Sequence, residues 1–148
     1  MSLDAEILRK SFARVIESTP DLTQRFYRNL FRLHPQTRKM FGPHLARQEK
    51  MLSDALVAVI DHVDDAPWLS STLIALGARH AAYGVNDEMY GWVGDALLVT
   101  LADALGAEWT RQTERAWAFA FNAIAGLMQE GARRALAADP EPTACGAL

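Results

Sequence analysis

One spacing recurs almost from end to end of this sequence, and it limits the fold more than anything else in it. Tyr90, Val93, Gly94, Leu97, Leu98, Leu101 and Leu105 follow one another at intervals of three and four. That interval places them on one side of an α-helix, whereas a half-buried strand would alternate at every second residue. The same spacing organises Leu8, Phe12, Val15 and Ile16, then Phe26, Tyr27, Leu30 and Phe31, then Leu52, Ala55, Leu56, Val59 and Val63. It returns in Leu69, Leu73, Leu76 and His80, and in Trp117, Phe121, Ile124 and Met128. No alternating segment of useful length, internal repeat or helix-sized low-complexity stretch competes with it. The expectation is an all-α fold of about six long helices and one or two short ones.

Helix-breaking residues mark the joints. Ser2 and Asp4 are candidate caps for the first helix, Pro20 and Asp21 introduce the second, and Pro35 interrupts it after His34. The stretch "PQTRKMFGP" bends the chain, "DDAP" ends the third stripe, Gly106 closes the run from Tyr90, and the last run extends from about Trp109 to Ala137. Pro140 and Pro142 then release a frayed tail, so residues 1–138 are expected to form one domain and 139–148 a disordered extension.

Charge and cysteine usage exclude several classes. Fifteen Lys and Arg against eighteen Asp and Glu give a net charge of −3, with no basic run that would track phosphates, so nucleic acid is not expected as a partner. Cys145, the single cysteine, lies in "ADPEPTACGAL", which rules out an internal disulfide framework or a cysteine-based metal cluster. The N-terminus carries charges every few residues, and nowhere do eighteen apolar residues follow one another. A cytoplasmic protein with no membrane partner is the expectation.

Three polar residues sit on otherwise apolar stripes. His80 follows Leu76 by four residues and Leu73 by seven; an isolated histidine on such a face is more often a core or rim residue bonded to a carbonyl than a metal ligand. Tyr27 stands among Phe26, Leu30 and Phe31, where a tyrosine usually buries its ring and sends its hydroxyl to water. Gln48 precedes Leu52 by one turn, and a glutamine at a helix start usually faces solvent or assists the cap.

Four longer stretches bear on all three. "LTQRFYRNLFRLHPQTRKMF", "RQEKMLSDALVAVI", "GARHAAYGVNDEMYGWVGDALLVTL" and "AWAFAFNAIAGLM" together resemble, over nearly the whole chain, a bacterial single-domain globin, similar to the globin part of flavohaemoglobins and to stand-alone bacterial haemoglobins. The third stretch is the most specific. The resemblance implies a globin fold around haem b, iron protoporphyrin IX, with His80 as the iron's proximal ligand. A neutral imidazole offers a lone pair at Nε2 while Nδ1–H stays free to bond, and the carbonyl of Leu76, one helical turn back, is placed to accept it. The resemblance adds Tyr90 as a neighbour of the imidazole, and carries Val85 of "YGV" and Val93 to the haem. A glutamate that members of the family hold on the last helix aligns with Ala132 here, with Glu130 two residues out of phase, so the resemblance does not extend to peroxidase-like chemistry.

On the distal side the resemblance implies Tyr27 and Gln48 as hydrogen-bond donors to a polarised diatomic ligand, Leu52 as a steric wall and Phe41 packed flat on the porphyrin. The bend after Phe41 is shorter than in flavohaemoglobins, so a shift of one turn would bring His44 or Met51 to the iron in place of Gln48. The implied function is reversible binding of dioxygen, for storage, delivery or sensing, with carbon monoxide and nitric oxide as other ligands, and not an enzymatic activity. The alternative is a nitric oxide dioxygenase served by a separate reductase, since no Gly-rich dinucleotide fingerprint follows a strand anywhere in the sequence. A haem-free globin-like interaction module is a third reading.

Overall fold

In a computed structural model of the chain, which describes residues 4–138, six α-helices and two short 3-10 segments account for nearly all of the backbone. Helix α1 spans Ala5–Ser18, α2 Leu22–Leu33, α3 Ala46–Asp61, α4 Ala66–Ala82, α5 Asp87–Leu105 and α6 Arg111–Ala138. The 3-10 segments, Pro35–Met40 and Gly106–Glu108, follow α2 and α5. This is the all-α architecture the periodicity implies, and no strand occurs among the described residues. None of the described helices is long and apolar enough to cross a membrane. Ser2, Cys145 and the tail expected at 139–148 lie outside the described residues.

Side-chain caps set several of the helix starts. Asp4 accepts from the Ile7 amide at 3.2 Å, Asp65 from Trp68 at 3.2 Å and Asn86 from Met89 at 3.1 Å. Each satisfies an amide that the first helical turn leaves without a partner. Helix α3 has no such cap: Leu45 precedes it and offers no acceptor.

Helix α5 is the centre of the molecule, packing on α1, α2 and α6. Its buried arc is wider than the apolar stripe, because Ala96 and Thr100 are also buried. Thr100 is accommodated by donating its hydroxyl to the Ala96 carbonyl at 2.6 Å and accepting from Asn29 at 2.9 Å.

Helices α4 and α6 meet backbone to backbone. A Cβ on Gly77 would strike the backbone of Met128, and one on Gly131 would strike that of Ile74. Two glycines, one on each helix, therefore let the two main chains touch.

The buried side chains do not merge into one core. One cluster, built on Leu8, Phe12, Val15, Phe26, Tyr27, Leu30, Leu97 and Leu101, joins α1, α2 and α5, with Ile60 of α3 and Trp117 and Ala120 of α6. A second, of Leu69, Leu73, Tyr90, Ala125 and Met128, joins α4, α6 and the start of α5. Phe121 alone packs against both. Half-buried apolar residues flank each cluster, Phe41, Leu52, Leu56 and Val93 the first and Leu76 and Val85 the second.

Candidate haem pocket

His80 sits in the last turn of α4, half-buried. Its Nδ1 lies 2.9 Å from the Leu76 carbonyl. That oxygen can only accept, so Nδ1 carries the proton and Nε2 keeps its lone pair. Burial pushes the imidazole below its ordinary pKa, against the opposing effect of the Leu76 bond, and the charge of Arg79 acts in the same direction as burial. The neutral form, which has an electron pair to give, is favoured.

The chain beyond α4 turns back beneath this histidine. Tyr83 and Val85 both donate their amides to the His80 carbonyl, at 3.0 and 3.1 Å, and Gly84 makes the turn at φ 90°, a left-handed conformation glycine adopts without strain. Val85 is thereby held against the second cluster together with Leu76. Tyr90 is buried in that cluster, but its hydroxyl has no hydrogen-bond partner among the described residues. It therefore makes no hydrogen bond to the imidazole. Glu130 instead bonds Arg133 and Arg134 at 2.8 and 3.1 Å on the surface of α6, and Ala132 is half-buried.

Tyr27 belongs to the other cluster and is only 4% exposed. Its ring meets Phe26 and Phe41 edge-on, with centroids 5.0 and 5.5 Å apart, and lies 6.0 Å from Phe31. Burial raises its phenol pKa further, while the Gln48 side chain opposes the rise and the charge of Glu49 adds to it. The phenol thus stays protonated, and Gln48 of α3 lies near enough to act on it without a hydrogen bond joining the two side chains. Leu52, one turn along α3, packs against the same cluster, as does Val93. His44 is exposed and Met51 is 54% exposed.

The structure thus puts Tyr27, Phe41, Leu52 and Val93 with one cluster and Tyr90, Leu76 and Val85 with the other, His80 being tied by hydrogen bonds to Leu76 and Val85. Sequence reasoning did not single out Phe31, 5.7 Å from Phe41, Leu56, one turn beyond Leu52, or Phe121, which bridges the clusters. Their signal was present as helical spacing, but they read as ordinary core.

These residues suit a flat apolar group with a central metal and polar margins. Half-buried aliphatics and aromatics would gain burial from it, His80 presents one free nitrogen, and the orphaned Tyr90 hydroxyl leaves room for a polar neighbour.

The family model described as Globin matches residues 24–128. The flavohemoprotein of Vibrio cholerae is 31% identical over 129 residues, which cover 83% of this chain and 33% of that protein, so the chain spans a third of the length of such relatives. The neuroglobin of Chaenocephalus aceratus is 25% identical over 142 residues, 86% of this chain and 89% of its own. Among solved structures, an engineered carbene transferase from Rhodothermus marinus, provisionally described as a nitric oxide dioxygenase, superposes with a TM-score of 0.82 at 24% identity, over 95% of this chain and 100% of its own. A bacterial globin from Campylobacter jejuni gives 0.74 at 22% identity, over 88% and 94%. At these identities the two structures establish the fold.

Proposed function

The chain belongs to the globin family, and from that premise we propose that it is a cytoplasmic haem b protein that binds dioxygen reversibly, with His80 as the protein's ligand to the iron. Bound haem supplies an iron with one position for a protein ligand and one for a diatomic gas. The Leu76 carbonyl fixes the imidazole's orientation and tautomer, so Nε2 is the atom presented. Tyr27 and Gln48 would donate hydrogen bonds to a polarised ligand, in surroundings where Phe41 and Leu52 would exclude water. Val85 and Val93 would add apolar contacts to the bound group. The observation that carries this reading is the divided core: His80 is tied to Leu76 and Val85 on one cluster, and Tyr27 is embedded in the other.

Absorption spectra of the purified protein, ferric and then reduced under carbon monoxide, test it. A Soret band that shifts on reduction and again with carbon monoxide is the expected result; a protein that purifies colourless and takes up no added haemin overturns it.

The names of the flavohemoprotein relatives and of the Rhodothermus marinus neighbour favour a second reading, nitric oxide dioxygenation with electrons from a separate reductase. Protein equilibrated with dioxygen and mixed with excess nitric oxide should then turn over once, to the ferric form, and resume only when a reductase is added. Sustained NADH consumption by the pure chain would show that no partner is needed.

A further inference from the structure

Between Leu22 and Gln48 the sequence holds six Lys and Arg and no Asp or Glu, leaving nine cations against eighteen carboxylates in the rest of the chain. The structure turns this dispersed imbalance into a surface. Arg25, Arg28 and Arg32 recur at helical spacing on the exposed side of α2, Arg38 and Lys39 continue from it in the 3-10 segment, and Arg47 opens α3; all six are exposed. Arg25 is paired with Asp21 at 3.1 Å and Arg32 donates to Asn29 at 3.3 Å, whereas Arg28, Lys39 and Arg47 make no ion pair or side-chain hydrogen bond among the described residues. Arg38 is fixed differently, donating to the carbonyls of Phe41 and Gly42 at 3.1 Å each and lying 5.2 Å from the centre of the Phe31 ring. Leu33 and Met40, 36% and 38% exposed, stand on the same segments. Asp21 and Glu49 bound the stretch in sequence, and Asp95 of α5 approaches it at His34, 3.4 Å away.

We propose that this basic face docks the acidic surface of a soluble electron-carrier protein. The inference rests on the haem reading, because the elements that carry the cations also carry Tyr27, Phe41 and Gln48. A donor seated here would deliver one electron from its reduced flavin to ferric haem with no atom transferred.

A compact acidic partner suits the patch better than an extended polyanion. Screening confines each charge to about 8 Å at physiological salt, so a partner of matching size feels the five cations that no carboxylate pairs, while a duplex or bilayer would also meet the carboxylate-rich remainder. Exposed aromatics for stacking on bases are lacking on the face, and two isolated apolar side chains fall short of the continuous apolar side with which a helix enters a membrane. Arginine and methionine around a few apolar atoms are the composition of a transient protein interface.

Flavodoxin, an acidic one-electron carrier, is a direct probe. Calorimetric titration of the purified protein with oxidised flavodoxin at 20 mM and 300 mM NaCl reads docking without requiring haem. Stopped-flow reduction of the ferric protein by reduced flavodoxin under carbon monoxide reads delivery. The triple variant Arg28→Glu, Arg32→Glu, Lys39→Glu should weaken binding and slow reduction at low salt by about tenfold or more, and added salt should erase the difference. A control of equal charge change, Lys10→Glu, Arg111→Glu, Arg115→Glu, should leave both close to wild type. No measurable binding, or an equal loss in both triple variants, overturns the proposal. So does binding to phosphatidylserine vesicles or duplex DNA that the first variant abolishes while flavodoxin reduction stays unchanged. A missing Soret band is a failure of the haem reading and leaves the calorimetric result to be judged separately.

Discussion

Helix α3 carries Gln48 and Leu52 and helix α4 carries Leu76 and His80, and the two helices are held in opposite ways. Helix α4 begins at a side-chain cap with Pro67 in its first turn, buries Leu69, Leu73 and Gly77, and touches the main chain of α6. Helix α3 begins uncapped, buries Ile60 alone, and leaves Met51 and Val57 54% and 40% exposed. Closely packed backbone transmits any displacement, whereas a lightly buried helix opens at small cost. On the proposed function, the difference gives precision to the side that would present the iron ligand and adaptability to the side that would admit a diatomic gas.

The largest effect should come from the fixed side. His80→Gly removes the presented nitrogen, and the variant should purify without haem or with haem restored by added imidazole; a wild-type Soret band without imidazole would mean that α4 does not present the ligand. Next is Gly77→Ala, whose methyl has only the Met128 backbone to move against. It should cost about 3 kcal/mol or more, read as a lowered urea midpoint at unchanged slope. A cost near zero would show that α4 and α6 part as easily as α3 does.

Effects on the adaptable side should be smaller and selective. Tyr27→Phe removes a hydrogen bond to a charged acceptor, worth about 1.5–3 kcal/mol, and should speed dioxygen dissociation roughly ten- to a hundredfold with a far smaller change for carbon monoxide. Equal changes for both gases would make the role steric. Gln48→Leu should follow with an effect of about two- to tenfold on the dioxygen off-rate. Met51→Ala, on the exposed side of α3, should change stability by less than about 0.5 kcal/mol and leave gas kinetics alone; a larger effect would place Met51, not Gln48, against the ligand.

The loosely held side was the more legible one in the sequence. Helical spacing located α3, and the resemblance selected Tyr27, Phe41, Gln48 and Leu52, which the structure gathers around one aromatic group. Asp4, the "DDAP" stretch and the closing Gly106 marked boundaries because they act within one turn of the chain, whereas the cap Asn86 was not singled out. What holds α4 was not legible. Gly77 and Gly131 read alone as weak points in two helices, and their value depends on Met128 and Ile74, each more than fifty residues away. The breadth of the buried arc on α5 was hidden too, since Thr100 is buried only because Asn29 reaches it from α2. The basic face escaped a reading of runs because its six charges are spread over more than twenty positions.

The reciprocal glycine contact also sets an order of events during synthesis. Residues 74 and 77 meet their partners at 131 and 128, so α4 emerges from the ribosome long before the surface it must rest on exists. Closing a loop of this length costs entropy that only the finished contact returns. The first helices can collapse on one another while α6 is still being made. The side that carries His80 therefore comes to rest only after residue 131 has been added, which on the proposed function makes cofactor capture a late step.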